Sequence, residues 1–348
     1  MTTLATTDSS PGVAALRRPV SVRLLWLAAG CAVLALLVVA SVAFGVRDVS
    51  FAEIGAALGG STEGIGEAAV AARLPRTVLA IVVGAALALS GATLQAVTRN
   101  PLADPGILGL TGGAALAVVT GIAFFGLANA VTTVVVAIVG ATAAGIAVYA
   151  IGSLGRGGAT PLKLALAGAA TAAALTSLVN AILLPRVDVL TEFRFWQIGG
   201  VGGAVWDRIG LVAPFLALGA LVCLMCARGM NSLALGDDLA AGLGENVART
   251  RLVASFGAFA LCGAATAIAG PIAFVGLVVP HVCRLLVGPD HRWLLPFSAL
   301  TGAVLLLASD VVGRLVARPG EVEVGIITAL IGAPVFIAIV RRQKVREL

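Results

Sequence analysis

The chain is poor in charge. Only 11% of its 348 residues are Asp, Glu, Lys or Arg, against roughly 25% in a soluble domain. With 59% hydrophobic residues and a mean hydropathy of +1.07, that shortage excludes a water-soluble globule. So much apolar surface needs lipid as its solvent. Aromatic residues are also scarce, at 5%, so packing has to rest on small side chains. The 43 glycines supply them, because small residues let membrane helices approach where no hydrophobic effect drives association. The two histidines, His281 and His291, have no neighbours at ligand spacing. A metal centre needs several convergent ligands, so none is expected. The five cysteines lie in apolar stretches, which argues against disulfides. Cys223 and Cys226 form a C-x-x-C without a second pair, and read as buried thiols. The sequence holds no G-x-x-x-x-G-K-[ST] loop, so the chain has no phosphate cradle with which to hydrolyse ATP. It also lacks a clustered His, Glu or Ser constellation that would suggest an enzyme.

What the chain has in abundance is long apolar runs. Ten are expected to cross a hydrocarbon core of ~30 Å: Val22 to Phe44, Leu74 to Val97, Gly106 to Phe125, Ala130 to Ile151, Leu162 to Leu184, Ile209 to Ala227, Leu252 to Ala269, Ile272 to Val287, Trp293 to Val316 and Val322 to Val340. The expected fold is an all-α integral membrane protein with a ten-helix domain over 22–340, flanked by tails over 1–21 and 341–348. The first run is too long for a signal-peptide core and reads as a retained span. The eighth is short, and a break is expected at Pro280. With both termini placed in the cytoplasm, 15 of the 23 Lys and Arg residues fall on inner segments and 8 on outer ones, which satisfies the positive-inside bias. Basic inner loops also account for the positive net charge without nucleic acid. Ala86-Leu-Ala-Leu-Ser-Gly-Ala92 matches Ala258-Phe-Ala-Leu-Cys-Gly-Ala264 at five of seven positions. Five spans separate the two segments, an odd number, so the halves would be inverted repeats of the transporter kind.

The longest hydrophilic inner stretch, 228–251, carries Leu235, Leu239 and Leu243 at helical spacing, with Asp237 and Asp238 placed where a helix dipole favours them. Two readings fit this pattern. It is either a linker helix lying on the surface or a short helix that fits a groove on a partner. At the other face the eight outer basic residues include Arg73, Arg76 and Arg314. Arg314 has Asp310 one turn earlier, and an acid that deep in an apolar run needs compensation. A secondary transporter would bury several charges near the bilayer midplane, and the runs hold almost none apart from Asp310.

The segments Arg73-Leu-Pro-Arg76, Gly91-Ala-Thr-Leu-Gln95 and Arg99-Asn-Pro-Leu-Ala-Asp-Pro-Gly-Ile-Leu-Gly109 resemble FecCD-type permeases of iron-siderophore, heme and cobalamin ABC importers. Further on, Leu235 to Gly244, Gly270 to Arg284 and Gly325 to Phe336 resemble other signatures of that family, and the resemblance covers Phe51 to Arg342. It implies a type II importer permease in the bacterial cytoplasmic membrane. Its partners would be a second permease subunit, two cytoplasmic ATPases that carry ATP and Mg, and an extracytoplasmic binding protein. The permease itself would need no cofactor. Arg73, Arg76 and Arg314 would pair with acids of the binding protein, Arg314 having Asp310 as an equal alternative. Leu235, Gly236, Asp237, Leu239, Ala240, Gly242, Leu243 and Gly244 would form the coupling helix. Gly155, Gly157 and Gly158 would serve an inner gate, and Thr171 and Asn180 would line the pathway at the dimer interface. The variants Asn100-Pro-Leu-Ala-Asp-Pro105 and Arg318-Pro-Gly-Glu321 stand closer to siderophore permeases, which implies a ferric chelate as cargo and a heterodimer ahead of a homodimer.

Overall fold

The computed structural model describes residues 19–154 and 161–344. Every regular element among them is a helix: α1 (Val20–Ala43), α2 (Phe51–Leu58), α3 (Ile65–Thr98), α4 (Leu110–Phe125), α5 (Ala130–Ser153), α6 (Pro161–Leu183), α7 (Val187–Ile198), α8 (Trp206–Met225), α9 (Ala227–Leu233), α10 (Asp237–Gly242), α11 (Val247–Ala269), α12 (Val275–Val287), α13 (His291–Val316) and α14 (Val324–Lys344). Seven of these, α1, α3, α5, α6, α8, α11 and α13, are long and apolar enough to cross a membrane. The apolar helices α4 and α12 are shorter, as is the apolar part of α14, Val324–Ala338. Each of the ten overlaps one of the apolar runs.

The bundle is built around α3, a helix of 34 residues and hence about 51 Å long. It packs most extensively on α13 and also on α11, α12 and α8. Glycine makes the closest approaches possible. A Cβ on Gly84 would collide with the Gly302 carbonyl of α13, and one on Gly91 with the backbone of Gly276 on α12. The segments around Ser90 and Ala258 meet directly, Ser90 Oγ donating to the Ala258 carbonyl at 2.8 Å. Around this centre, α4, α5 and α6 pack on one another, while α1 lies on α13 with most of its surface exposed.

Helix ends follow local chemistry. Ser50 and Glu53 close a reciprocal capping box on α2, and Asn129, Asn246 and Asp290 cap α5, α11 and α13 with side-chain oxygens, each satisfying an otherwise orphan N–H. At the far end of α3, Arg99 takes a left-handed conformation (φ 50°) while Asn100 N donates to the Gln95 carbonyl at 3.1 Å, the closure in which glycine is usual.

The break expected at Pro280 lies elsewhere. The helix α12 runs without interruption through Pro280, and the non-helical stretch is Gly270 to Phe274, with Gly270 at φ 70° and Phe274 at φ 68°. Proline has no N–H to bond the carbonyl four residues back, which here belongs to Gly276. Gln95 Nε2 fills that place, 3.2 Å from the Gly276 carbonyl and 3.3 Å from that of Leu277. A donor from α3 therefore lets the proline sit inside the helix.

Candidate functional site

Two polar constellations lie toward opposite ends of α3. The first contains all three arginines expected to dock a partner. Arg76 Nη2 and Nε lie 2.8 and 2.9 Å from Asp310 Oδ1, and Arg76 Nη1 lies 2.6 Å from Glu321 Oε2. Arg314 Nη2 stands 2.8 Å from Asp310 Oδ2, as an ion pair rather than an aligned hydrogen bond. Arg314 also donates to the Ser41 carbonyl at 3.0 Å, the Phe44 carbonyl at 3.2 Å and Ser41 Oγ at 2.7 Å. Arg73 Nη1 donates to the carbonyls of Val42 and Ala43 at 2.9 and 3.1 Å, and its Nη2 to that of Arg47 at 2.5 Å. The hydroxyls of Ser41 and Thr77, 2.6 Å apart, join the two arginine sets.

For Arg314 the geometry shows the internal alternative, the pair with Asp310 one turn earlier, and it gives Arg73 and Arg76 internal partners as well. Arg73, Arg76 and Arg314 are only 6%, 8% and 2% exposed. Their guanidinium groups are turned inward and engaged within the chain. The carboxylate of Asp310 pairs with two guanidinium groups, which gives a buried acid in an apolar run the compensation it requires, and Glu321 supplies Arg76 with a second acid. The rest of the arginine donors satisfy carbonyls exposed where α1 ends, a common cost of helix termini. The cluster ties together α1, α3, α13 and the 317–323 loop. Glu321 was noted only as part of a sequence variant. Nothing in its spacing indicated that it would share Arg76 with Asp310.

The second constellation is the expected coupling element. The helix α10 spans six residues, Asp237–Gly242, with Gly236 before it at φ 104° and Gly244 after it at φ 84°. Leu235, Leu239 and Leu243 are 57%, 63% and 68% exposed, while Ala240 is buried. A Cβ on Gly242 would meet open space. The element is held from behind, Asp237 accepting two bonds from Arg251 at 2.8 and 3.0 Å and facing Arg99 Nη2 at 3.3 Å. Arg99 and Arg251 are clamps that sequence spacing did not reveal, because they come from the end of α3 and the start of α11. The apolar stripe therefore stands on a fixed base and faces outward, without a partner among the described residues.

Of the expected pathway residues, Thr171 is half-buried on α6 and lines, with Leu175, an apolar groove of about 720 Å³ between α4, α5 and α6. Asn180 is exposed on the same helix. Thr176 and Ser177 are exposed beside it and return their hydroxyl bonds to the carbonyls of Ala172 and Ala173 at 2.8 and 2.9 Å. The expected gate glycines, Gly155, Gly157 and Gly158, lie outside the described residues. Among the described residues no group of three His, Cys, Asp or Glu side chains could hold a metal. His291 Nδ1 lies 2.8 Å from Asn231 Oδ1, and the five cysteines are unpaired.

A bundle of apolar helices built on glycine contacts, with an ion network at one end and an outward apolar stripe at the other, is the build of a multi-pass membrane protein. The FecCD transport family model matches residues 33–342. The chain is 47% identical over 273 residues to the ferric enterobactin transport system permease protein FepD of Escherichia coli (strain K12), covering 78% of this chain and 81% of that one. It is 41% identical over 321 residues to the probable siderophore transport system permease protein YfiZ of Bacillus subtilis (strain 168), covering 91% and 96%. A solved inward-facing structure of a metal-chelate type ABC transporter superposes with a TM-score of 0.78 at 31% identity, covering 91% of this chain and 98% of that one. The chain belongs to the FecCD transport family, and it is a permease of that family.

Proposed function

We propose that the chain is one permease subunit of an ABC importer that moves a ferric siderophore-like chelate across a bacterial cytoplasmic membrane. The observation that carries the proposal is the coupling element: Leu235, Leu239 and Leu243 stand exposed on a turn whose base is fixed by Arg99 and Arg251. An apolar stripe of this kind fits a groove on another protein, and a rigid base is what force transmission needs. Gly236, Asp237, Ala240, Gly242 and Gly244 complete that element. Its partner would be a pair of cytoplasmic ATPases, which would bind the ATP and Mg that this chain has no loop to hold.

In this reading the ten apolar helices are ten spans over 22–340, with α10 and both tails (1–21 and 341–348) in the cytoplasm and the arginine cluster at the outer face. The direct contact between the two similar segments at Ser90 and Ala258 supports inverted repeats, because related helices meet where halves pair. At the outer face the cluster's role is to hold the 44–47 and 317–323 loops, on which an extracytoplasmic binding protein would dock. Exposed Asn180, Thr176 and Ser177 on α6 support a second permease chain against that face, since an amide turned to lipid goes unsatisfied. A paralogous chain is favoured over a second copy. Thr171 and Asn180 would then border the pathway, and the 155–158 glycines its inner gate. The permease carries no cofactor of its own.

Purification of the tagged chain from its native membrane tests the assembly. A second permease and two ATPase copies are the expected companions, together with a binding protein retained when chelate is present. Recovery of the chain alone, active in ion-gradient-driven uptake, would sink the proposal.

A further inference from the structure

At the α10 end of the bundle, a cavity of about 380 Å³ is lined by Gln95, Arg99, Ala234, His281, Arg284 and His291, among others. That volume lies within the range of small-molecule sites. Its charges do not cancel. Arg284 is half-buried and donates to Gln95 Oε1; among the described residues no carboxylate pairs with it. A guanidinium carries five N–H donors, and Gln95 is neutral, with its own amide nitrogen turned to the Gly276 and Leu277 carbonyls. Gln95 thus orients the fork of Arg284 without neutralising it.

The acids nearby are already engaged. Arg99 faces Asp237 at 3.3 Å, but Asp237 is held by Arg251 through two shorter bonds. Asp290 accepts from Asn231 Nδ2 at 2.7 Å and from Arg292 N at 3.1 Å. Two guanidinium groups therefore line one pocket, with more positive charge than the carboxylates of the described residues offset there. Arg99 is exposed and shares Asp237 with Arg251, whereas Arg284 is half-buried with only a neutral partner; such partial burial is costly, and a fork with free donors matches phosphate oxygens in pairs.

We propose that this cavity binds a phosphate-class anion, either free phosphate or the headgroup of a phospholipid with net negative charge, held by Arg284 and Arg99 with His281 and His291 at its wall. Arg99 belongs both to the cavity and to the contact with Asp237 at the base of α10. An anion in the cavity competes with Asp237 for Arg99 and so reaches the coupling element, a consequence that rests on the function proposed above; the binding itself does not.

The test uses the full chain, stripped of lipid in detergent, with its unfolding temperature read in sodium phosphate against sodium chloride at matched ionic strength. A second arm compares nanodiscs of phosphatidylcholine with nanodiscs containing phosphatidylglycerol. A rise of about 3 °C or more is expected in at least one arm. Phosphate alone producing it identifies a free-anion site, and phosphatidylglycerol alone a headgroup site. Arg284→Gln is expected to weaken the binding about tenfold. His281→Leu, which alters the wall and leaves both arginines, is expected to weaken it about threefold and stands in should Arg284→Gln fail to fold. No anion-specific rise in either arm, or a rise that survives both substitutions, would overturn the proposal.

Discussion

Replacing Arg314 by Gln separates a structural arginine from a docking one. The substitution removes one of the two cations on Asp310 and leaves Arg76 alone to offset both Asp310 and Glu321. It also strands acceptors at Ser41 and Phe44. Breaking a buried pair while its partner stays charged costs about 3–5 kcal/mol. Arg318 provides the control, because its pair with Asp48 involves a carboxylate that is 89% exposed, and such surface pairs contribute about 0–1 kcal/mol. At roughly 2 °C per kcal/mol, Arg314→Gln should unfold about 6 °C or more below the wild type, and Arg318→Gln within about 2 °C of it. Both are read by thermal unfolding of the purified chain in one detergent, alongside binding-protein affinity of the folded fraction. If Arg314→Gln unfolds at the wild-type temperature while docking affinity falls tenfold, the internal role assigned to this guanidinium is wrong.

Other substitutions probe the packing, the coupling element and one buried acid. Gly91→Ala and Gly242→Ala make the same chemical change in opposite surroundings: the first drives a methyl into the Gly276 backbone and should cost about 1–3 kcal/mol, while the second enters open space and should leave the unfolding temperature unchanged. Gly242→Trp should keep membrane insertion and stability but separate ATP hydrolysis from uptake in the assembled complex; normal coupling would remove α10 from the mechanism. In the loop between α3 and α4, burial raises the Asp104 carboxyl from 3.8 to about 6. An acid with a raised folded pKa favours the fold in its protonated form, so its contribution is lost as pH rises from about 4 through about 6. Asp104→Asn keeps an acceptor for Gly106 N, which Asp104 Oδ1 takes at 2.8 Å. Its unfolding temperature relative to the wild type should therefore climb over that window and stay level above pH 7; a pH-independent difference would contradict the assignment.

Hydropathy made the spanning helices legible because lipid imposes one requirement on every residue of a span, and each apolar run has its helix. The leucine spacing at 235, 239 and 243 was legible in part: all three side chains are exposed, but the helix covers only Asp237–Gly242 and Gly236 turns the chain at φ 104°, so Leu235 lies outside it. The internal partners of Arg73 and Arg76 were not legible. Their spacing shows two arginines near a span end, but whether a guanidinium faces solvent or folds back depends on where α1 ends and on Asp310 and Glu321, more than 230 residues away in sequence. Arg314 was half legible, since Asp310 at one turn's distance announces a pair and says nothing of Ser41 or Phe44. Pro280 misled in an instructive way. A proline in a short apolar run predicts a break, and only the tertiary donor from Gln95 explains why α12 continues.

As a subunit of an ATP-driven importer loaded from one side, this permease should move cargo only within the complete assembly. The most direct measurement is uptake of a ferric siderophore into proteoliposomes carrying the chain with its copurifying permease and ATPases. ATP is supplied on the ATPase side and binding protein on the other, with heme and cobalamin as competing cargoes. The account predicts accumulation of the ferric chelate that requires ATP and binding protein together and is lost in Gly242→Trp. Accumulation driven by an ion gradient without ATP, or none with any cargo from a complete and hydrolysing complex, would contradict it.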